Sequence, residues 1–492
     1  MPIKETKEGV CISSDRKIPS TAATQFPDNA SKPFWSFKED SSASDDFFDC
    51  YVSFKEFNCH EYVWDWQDRK LDELLVKKLV RHYNDFFRKK QIGKNCFITF
   101  KVSNNNPLET LGRLYMSVIS SNGFAIGQDM FNPPLFEVVH SATSSNEMIR
   151  FAKLYNESVG IASEKFRQEC GPKVLSIIPT HQFEKKSNWY TALNSYFSNY
   201  QSSFRCKVDY FRPLIPRATI ADSLGFVGAV LATKRALSNY SVFSGIAGIT
   251  AYPIVDAGPL LFRGGLDPSR LREFVATYPG ARTVTITSAF RYDNGIGSVK
   301  SSIDILNRVL PKNQTVTYTR AEQEKIAAIE GVFAKHYRGA VNKLPSLKDI
   351  AEGMQPIGRS VPKSLKRSFS LYSLGIPPEI LGTGNAIVDC IKQGLVKDLE
   401  RFYPNIKQDL IAAGSLLNKE NLNFLAKTHK AWASVQAEVK LVEDYTDASL
   451  GPNSTDAFLH RNHTSNVFHL WSTKKDFSKD LFAAARLRRC MG

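Results

Sequence analysis

The 492-residue sequence has no Cys-x-x-Cys pair; its eight cysteines, Cys11, Cys50, Cys59, Cys96, Cys170, Cys206, Cys390 and Cys490, are scattered. That spacing argues for reduced thiols and against a zinc site or a disulfide framework. Long apolar runs are missing too. The nearest, Leu224 to Thr233 and Ile246 to Val255, are both broken by glycine, and a bilayer span needs roughly 18 apolar residues or more. No membrane partner is expected. Residues Met1 to Glu8 lack the apolar segment of a secretory signal, which leaves the cytoplasm as the expected location. Acid is short: 49 Asp and Glu against 64 Lys and Arg give a formal charge of +15. Such an excess marks either a nucleic-acid surface or a solvated basic exterior with a cationic pocket for a phosphorylated acid. The cations are dispersed and no RNA or DNA motif accompanies them, so no nucleic-acid partner is expected.

What is present points to a large globular chain, with room for one big barrel with additions or for two to three ordinary domains. The most informative stretch runs from Gly258 to Asp293. In it, Arg263 stands beside Gly264 and Gly265, which let backbone approach a ligand and present amides to an anion. Pro268 opens a helix expected over 269–278, with Leu271, Phe274 and Val275 on one face. A strand over 283–287 then ends near Arg291. A second cation thus falls just past a strand's carboxyl end, where α/β sheets bind ligands.

Strand and helix patterns alternate along the first 315 residues. Strands are expected at 96–102, 135–139, 174–178 and 250–255, and helices at 71–90, 107–120, 146–168, 225–238 and 299–310. This alternation predicts an α/β fold with a parallel sheet. Past Pro311 only helices are expected, at 321–337, 386–402, 406–416, 422–442 and 478–489. The reading is a disordered N-terminus over 1–17, a barrel core over 18–315 and a helical layer over 316–492.

The run Phe262-Arg263-Gly264-Gly265-Leu266, the strand end from Thr283 to Asp293 and the segment Leu371 to Glu379 resemble the archaeal-type phosphoenolpyruvate carboxylases, a short form also found in some bacteria. The resemblance extends from Ile18-Pro19-Ser20 and Thr24 to Asn29, through Glu61 to Trp66, to Arg488 to Gly492. It implies a TIM-type β/α barrel that joins phosphoenolpyruvate and bicarbonate, with Mg²⁺ or Mn²⁺, to give oxaloacetate and phosphate. It also implies a homo-oligomer, a homotetramer.

The resemblance assigns residues, and several depart from the family pattern. Phe26 stands where most members carry histidine, and phenylalanine exchanges no proton. Lys101 replaces an arginine, and Gln67 a glutamate. Glu137 is retained and reads equally as a catalyst or as the partner of an arginine. The first metal-binding carboxylate falls on Gln182 without a gap, or on Glu184 if the loop is two residues longer; Glu184 is the preferred reading. Arg217 survives in the next motif, but Thr219 takes the place of the second metal-binding aspartate, leaving Asp222 to serve if the loop shifts by three. Lys363 keeps the charge of a family arginine without its two-pronged grip, and Arg359 stands near another.

Carried over in this way, Arg263 and Arg217 are the catalytic cations, Gly264, Gly265, Arg291 and Lys363 bind substrate, and Glu184 with Asp222 holds the metal. Arg291 reads equally as a salt-bridge partner of Asp293 or Glu137. The rival reading is a family member that has kept the barrel, lost the chemistry and binds an anionic metabolite.

Overall fold

The computed structural model describes residues 10–12, 17–36, 46–65, 75–102, 107–128, 133–141, 144–166, 175–181, 189–353, 361, 363 and 365–492. Eight strands form one parallel sheet: β1 (Thr21–Thr24), β2 (Glu61–Asp65), β3 (Phe97–Val102), β4 (Glu137–His140), β5 (Ser176–Pro179), β6 (Leu214–Ile215), β7 (Ile254–Val255) and β8 (Thr283–Ile286). Each pairs with its neighbour in chain order, and β8 returns to β1. A parallel bridge from Thr180 to Leu214 joins β5 to β6, with the His181 N–H donating to Leu214 O at 2.7 Å. The sheet therefore closes as a TIM-type barrel. Helices fill the connections, as right-handed crossovers between parallel strands require.

Strand alternation sorts the barrel interior into tiers. At the amino ends of the strands, buried Arg212 donates to Glu61 at 2.6 and 3.0 Å, to Glu137 at 2.8 Å and to Thr283 at 3.3 Å. Thr99 and Tyr210 add hydroxyls to the same carboxylates. Two residues further along, Val139, Ile178, Leu214 and Ile254 make an apolar plug. Two further again, Asp65 with Lys101 and Asp256 with Thr285 ring the open end. Glu137 is thus a structural counter-ion of Arg212, far from the mouth in the tier order.

The expected helices exist, several with breaks that their apolar pattern conceals. Tyr83 interrupts the helix expected over 71–90, giving Leu75–His82 and Asn84–Lys90. Its ring stacks on Tyr51 at a centroid distance of 3.6 Å, a tertiary contact that periodicity cannot show. The 386–402 pattern splits into Thr383–Lys392 and Val396–Phe402, with Gly394 between them at φ 69°. His429 divides the 422–442 pattern and caps the second helix through Ala431 N–H. A first helical stretch from Arg217 ends in a kink at Gly225, φ 72° and ψ 179°, and the helix expected from 225 runs on from that kink to Ala247; a Cβ on Gly225 would lie 2.8 Å from Tyr337. Thr455–Ser472 is a further long helix of the C-terminal region.

The expectation of reduced thiols needs correction. Cys206 is disulfide-bonded, whereas Cys50, Cys59, Cys96, Cys390 and Cys490 are free and buried. Sequence separation says nothing about which thiols meet in space. Of the expected disordered residues 1–17, Val10–Ile12 pairs in parallel with Lys207–Val208, and 1–9 and 13–16 lie outside the described residues. Among the described residues, no helix is long and apolar enough to cross a membrane.

The lower tier predicts its own fragility. Arg212→Met would leave Glu61 and Glu137 buried without a counter-charge and should cost about 3–5 kcal/mol in urea unfolding. A loss below about 1 kcal/mol would show that the carboxylates find other partners.

Candidate active site

The site is built on the loop after β7. Glycine makes its shape possible: Gly264 has φ 128° and Gly265 φ 75°, and a Cβ on Gly264 would lie 2.6 Å from the Cβ of Ala257. The loop closes on itself, with Gly258 N–H donating to Arg263 O at 2.8 Å and Leu266 N–H to Gly258 O at 3.0 Å. The amides of Gly264 and Gly265 donate to Leu261 and Leu260 carbonyls at 3.0 and 2.9 Å. They are thus spent inside the loop. The two glycines provide room for it, whereas the sequence suggested amides presented to an anion.

Arg263 emerges from this loop 4% exposed, with its guanidinium 3.5 Å from Asp222 and 5.9 Å from the centre of the Phe26 ring. Burial raises the Asp222 carboxyl above its ordinary pKa, opposed by Arg263 and then by Arg367. Arg217 is fully buried beneath the loop. It donates to Phe262 O at 2.9 Å, Leu261 O at 3.3 Å and Tyr278 Oη at 2.8 Å. From the other side Glu379 accepts the Phe262 N–H at 2.8 Å and the Tyr372 hydroxyl at 2.6 Å. Both backbone polar groups of Phe262 are thus gripped, on the two successive peptides that flank it.

The loop after β1 forms the opposite wall. Asp28 accepts from Ala289 N–H at 2.8 Å and from Ser288 Oγ at 2.9 Å, and its own carbonyl accepts the Met491 N–H at 2.8 Å. Asp293 accepts the Ala30 N–H at 2.7 Å and the Ser31 N–H at 2.5 Å. Burial pushes the Asp293 carboxyl up to about 7. The C-terminal residues therefore dock directly on the loop that carries Phe26.

Arg291 lies elsewhere. It donates to Asp49 at 2.9 Å, Ile286 O at 2.7 Å and Thr24 O at 3.0 Å, buried within the wall between β1 and β8. Its ionic partner is Asp49, not Asp293 or Glu137. Lys363 is exposed. Gln67, Gln182, Glu184 and Arg359 lie outside the described residues. Sequence reasoning gave no role to Asp28 and Glu379, although both sit inside motifs it quoted. It also passed over Arg367, and Asp256 just beyond β7.

A family model described as phosphoenolpyruvate carboxylase matches residues 18–354 and 348–492. The chain belongs to the phosphoenolpyruvate carboxylase family. Among curated relatives, the phosphoenolpyruvate carboxylase of Leuconostoc mesenteroides is 28% identical, covering 91% of this chain and 93% of its own. That of Caldivirga maquilingensis is 26% identical over 97% of this chain and 100% of its own. That of Metallosphaera sedula is 28% identical over 90% and 93%.

Phosphoenolpyruvate carboxylases generally use a divalent metal. Among the described residues no three His, Cys, Asp or Glu side chains gather as metal ligands. Donors that reach the mouth include Asp222 and Asp256, part-exposed carboxylates of the hard oxygen type that Mg²⁺ and Mn²⁺ take, and Asp65, which is paired with Lys101. The donor chemistry fits the cation.

The loop geometry yields a sharp expectation. Gly264→Ala forces a side chain onto φ 128° and against Ala257, a strain of about 1–3 kcal/mol. Relief would displace Arg263, so phosphoenolpyruvate affinity measured calorimetrically should fall by at least about tenfold. Unchanged affinity would mean that Arg263 does not depend on this loop for its position.

Proposed function

We propose that this chain is a phosphoenolpyruvate carboxylase that converts phosphoenolpyruvate and bicarbonate to oxaloacetate and phosphate. The observation that supports this reading most is Arg263: a nearly buried guanidinium held at the barrel mouth by a closed glycine loop, in a chain of this family. A bicarbonate oxygen attacks phosphorus, the bond from phosphorus to the enol oxygen breaks, and carboxyphosphate and the pyruvate enolate result. Carboxyphosphate then releases CO₂ and phosphate, and the enolate C3 attacks the CO₂ carbon. Negative charge moves through every step, so fixed cations matter more than nucleophiles.

In this reading Arg263 binds the carboxyphosphate oxygens and then the carboxylate formed from CO₂. Arg217 acts through it, because each of its three nitrogens already donates to Tyr278, Phe262 or Leu261. Arg367, exposed at the start of the helix Lys366–Ser373, and Lys363 supply further charge for the phosphate. Arg291 acts as a brace for the ends of β1 and β8. Asp222 with Glu184 would hold Mg²⁺ or Mn²⁺, which when bound offsets charge on the phosphate and enolate oxygens. We place the enzyme in the cytoplasm as a homo-oligomer, a homotetramer by family likeness.

Oxaloacetate formation, coupled to malate dehydrogenase with bicarbonate and Mg²⁺ or Mn²⁺ present, should be measurable but slow. The slowness follows from Phe26, which cannot exchange a proton. No turnover above blank at millimolar substrate would favour the non-catalytic anion binder. Phe26→His should raise the rate about 10²-fold, the lower end of what a positioned acid or base supplies. A folded variant with no gain would show that the pocket has lost more than one group.

A further inference from the structure

One carboxylate on the inner wall of the barrel, Asp256, is not among the ligands of the proposed metal site. Ile254 of β7 belongs to the apolar plug with Val139, Ile178 and Leu214. Asp256, two residues on, therefore points to the same inner face, one tier nearer the mouth. Its Oδ1 accepts the Thr285 hydroxyl at 2.9 Å, and Thr285 lies two residues beyond Thr283, which bonds the inward-facing Arg212. Asp256 also sits level with the start of the helix after β6, because its carbonyl accepts the Ala218 N–H at 2.8 Å. The next residue is Thr219, which is exposed and has no carboxylate to offer.

The described carboxylates at the mouth differ in what they face: Asp65 is paired with Lys101 at 2.8 Å. Asp222 lies 3.5 Å from Arg263 and is further influenced by Arg367, so a third cation beside it would meet two positive neighbours. Asp256 has no ion pair among the described residues, is part-exposed, and has one oxygen fixed by a hydroxyl and the other unbonded. An oriented, uncommitted carboxylate of this kind is what a hard divalent cation recruits. We propose that Asp256 is a divalent-cation ligand of this chain, supplying from β7 the carboxylate that Thr219 lacks. The proposal rests on the metal-dependent reading of the site and revises one of its ligands: Asp256 takes the place given there to Asp222, whose carboxylate faces Arg263.

The test is Mn²⁺ binding to the full chain, followed by the loss of the free-Mn²⁺ electron paramagnetic resonance signal, without substrate. Asp256→Asn should weaken Mn²⁺ at least about tenfold, Asp222→Asn by less than about threefold, and Asp256→Glu should restore part of the affinity. Thr285→Val separates the bland role, since a carboxylate that only anchors Thr285 would make both substitutions lower thermal stability alike and leave Mn²⁺ binding unchanged. That result overturns the proposal, as does a wild-type chain that binds no Mn²⁺ at millimolar concentration, or a larger loss in Asp222→Asn than in Asp256→Asn. Mn²⁺ binding lost in Asp256→Asn while the parent shows no carboxylation would instead uphold the ligand and reject the proposed reaction.

Discussion

Phe262 is held through both of its backbone polar groups, and the site depends on that grip. Its carbonyl accepts from Arg217, at the start of the long helix after β6, and its N–H donates to Glu379, in the C-terminal helical region. Arg263 is the next residue. Both holding groups are fully buried, and burial raises the Glu379 carboxyl above its ordinary range. Taking such groups out of water is costly unless their bonds are made. Loss of either partner would therefore leave a buried polar group unsatisfied as well as free the loop. Barrel and helical region are thus joined at the one residue, Phe262, that precedes and aims the arginine.

A similar economy appears at the opposite wall, where the loop carrying Phe26 is tied to the end of β8 by Asp28, Ser288 and Asp293. The last residues of the chain close over it, with Arg488 donating to Met491 O at 2.5 Å and Met491 to Asp28. Gly492 lies against Phe369, where a Cβ would meet backbone at 2.6 Å. Segments separated by hundreds of residues in sequence converge because each satisfies a buried polar group of another.

This convergence marks where the sequence stops being readable. The barrel and its order are legible because alternation of strand and helix is local, and parallel neighbours connected by helices leave few topologies. Arg263 is legible too, flagged by its glycines. Arg291 is not, because its partner Asp49 lies on the helix Asp46–Lys55, more than two hundred residues earlier. The same holds for Glu137, whose pairing with Arg212 is a contact across the barrel. Helix breaks at Tyr83 and His429 come from stacking and capping, which an apolar stripe does not record.

Phe26 illustrates how a motif can keep its architecture while its chemistry changes. Its backbone carbonyl lies 2.5 Å from the Ser288 hydroxyl, which Asp28 shares, a contact that any side chain at this position would permit. The ring itself sits 5.9 Å from the Arg263 guanidinium, within the range where an aromatic face attracts a cation. An imidazole would bring a proton and, when charged, repulsion toward that arginine; the phenyl brings neither. Removing a proton donor from beside an enolate has two opposite effects. It withdraws acid–base assistance from carboxylation, and it also withdraws the nearest acid that would protonate C3 and waste the enolate as pyruvate. In the proposed reaction the substitution would thus slow the productive step and the competing protonation together. In that proposed reaction the partition of the enolate between oxaloacetate and pyruvate would depend on how well the ring and the docked C-terminus exclude water.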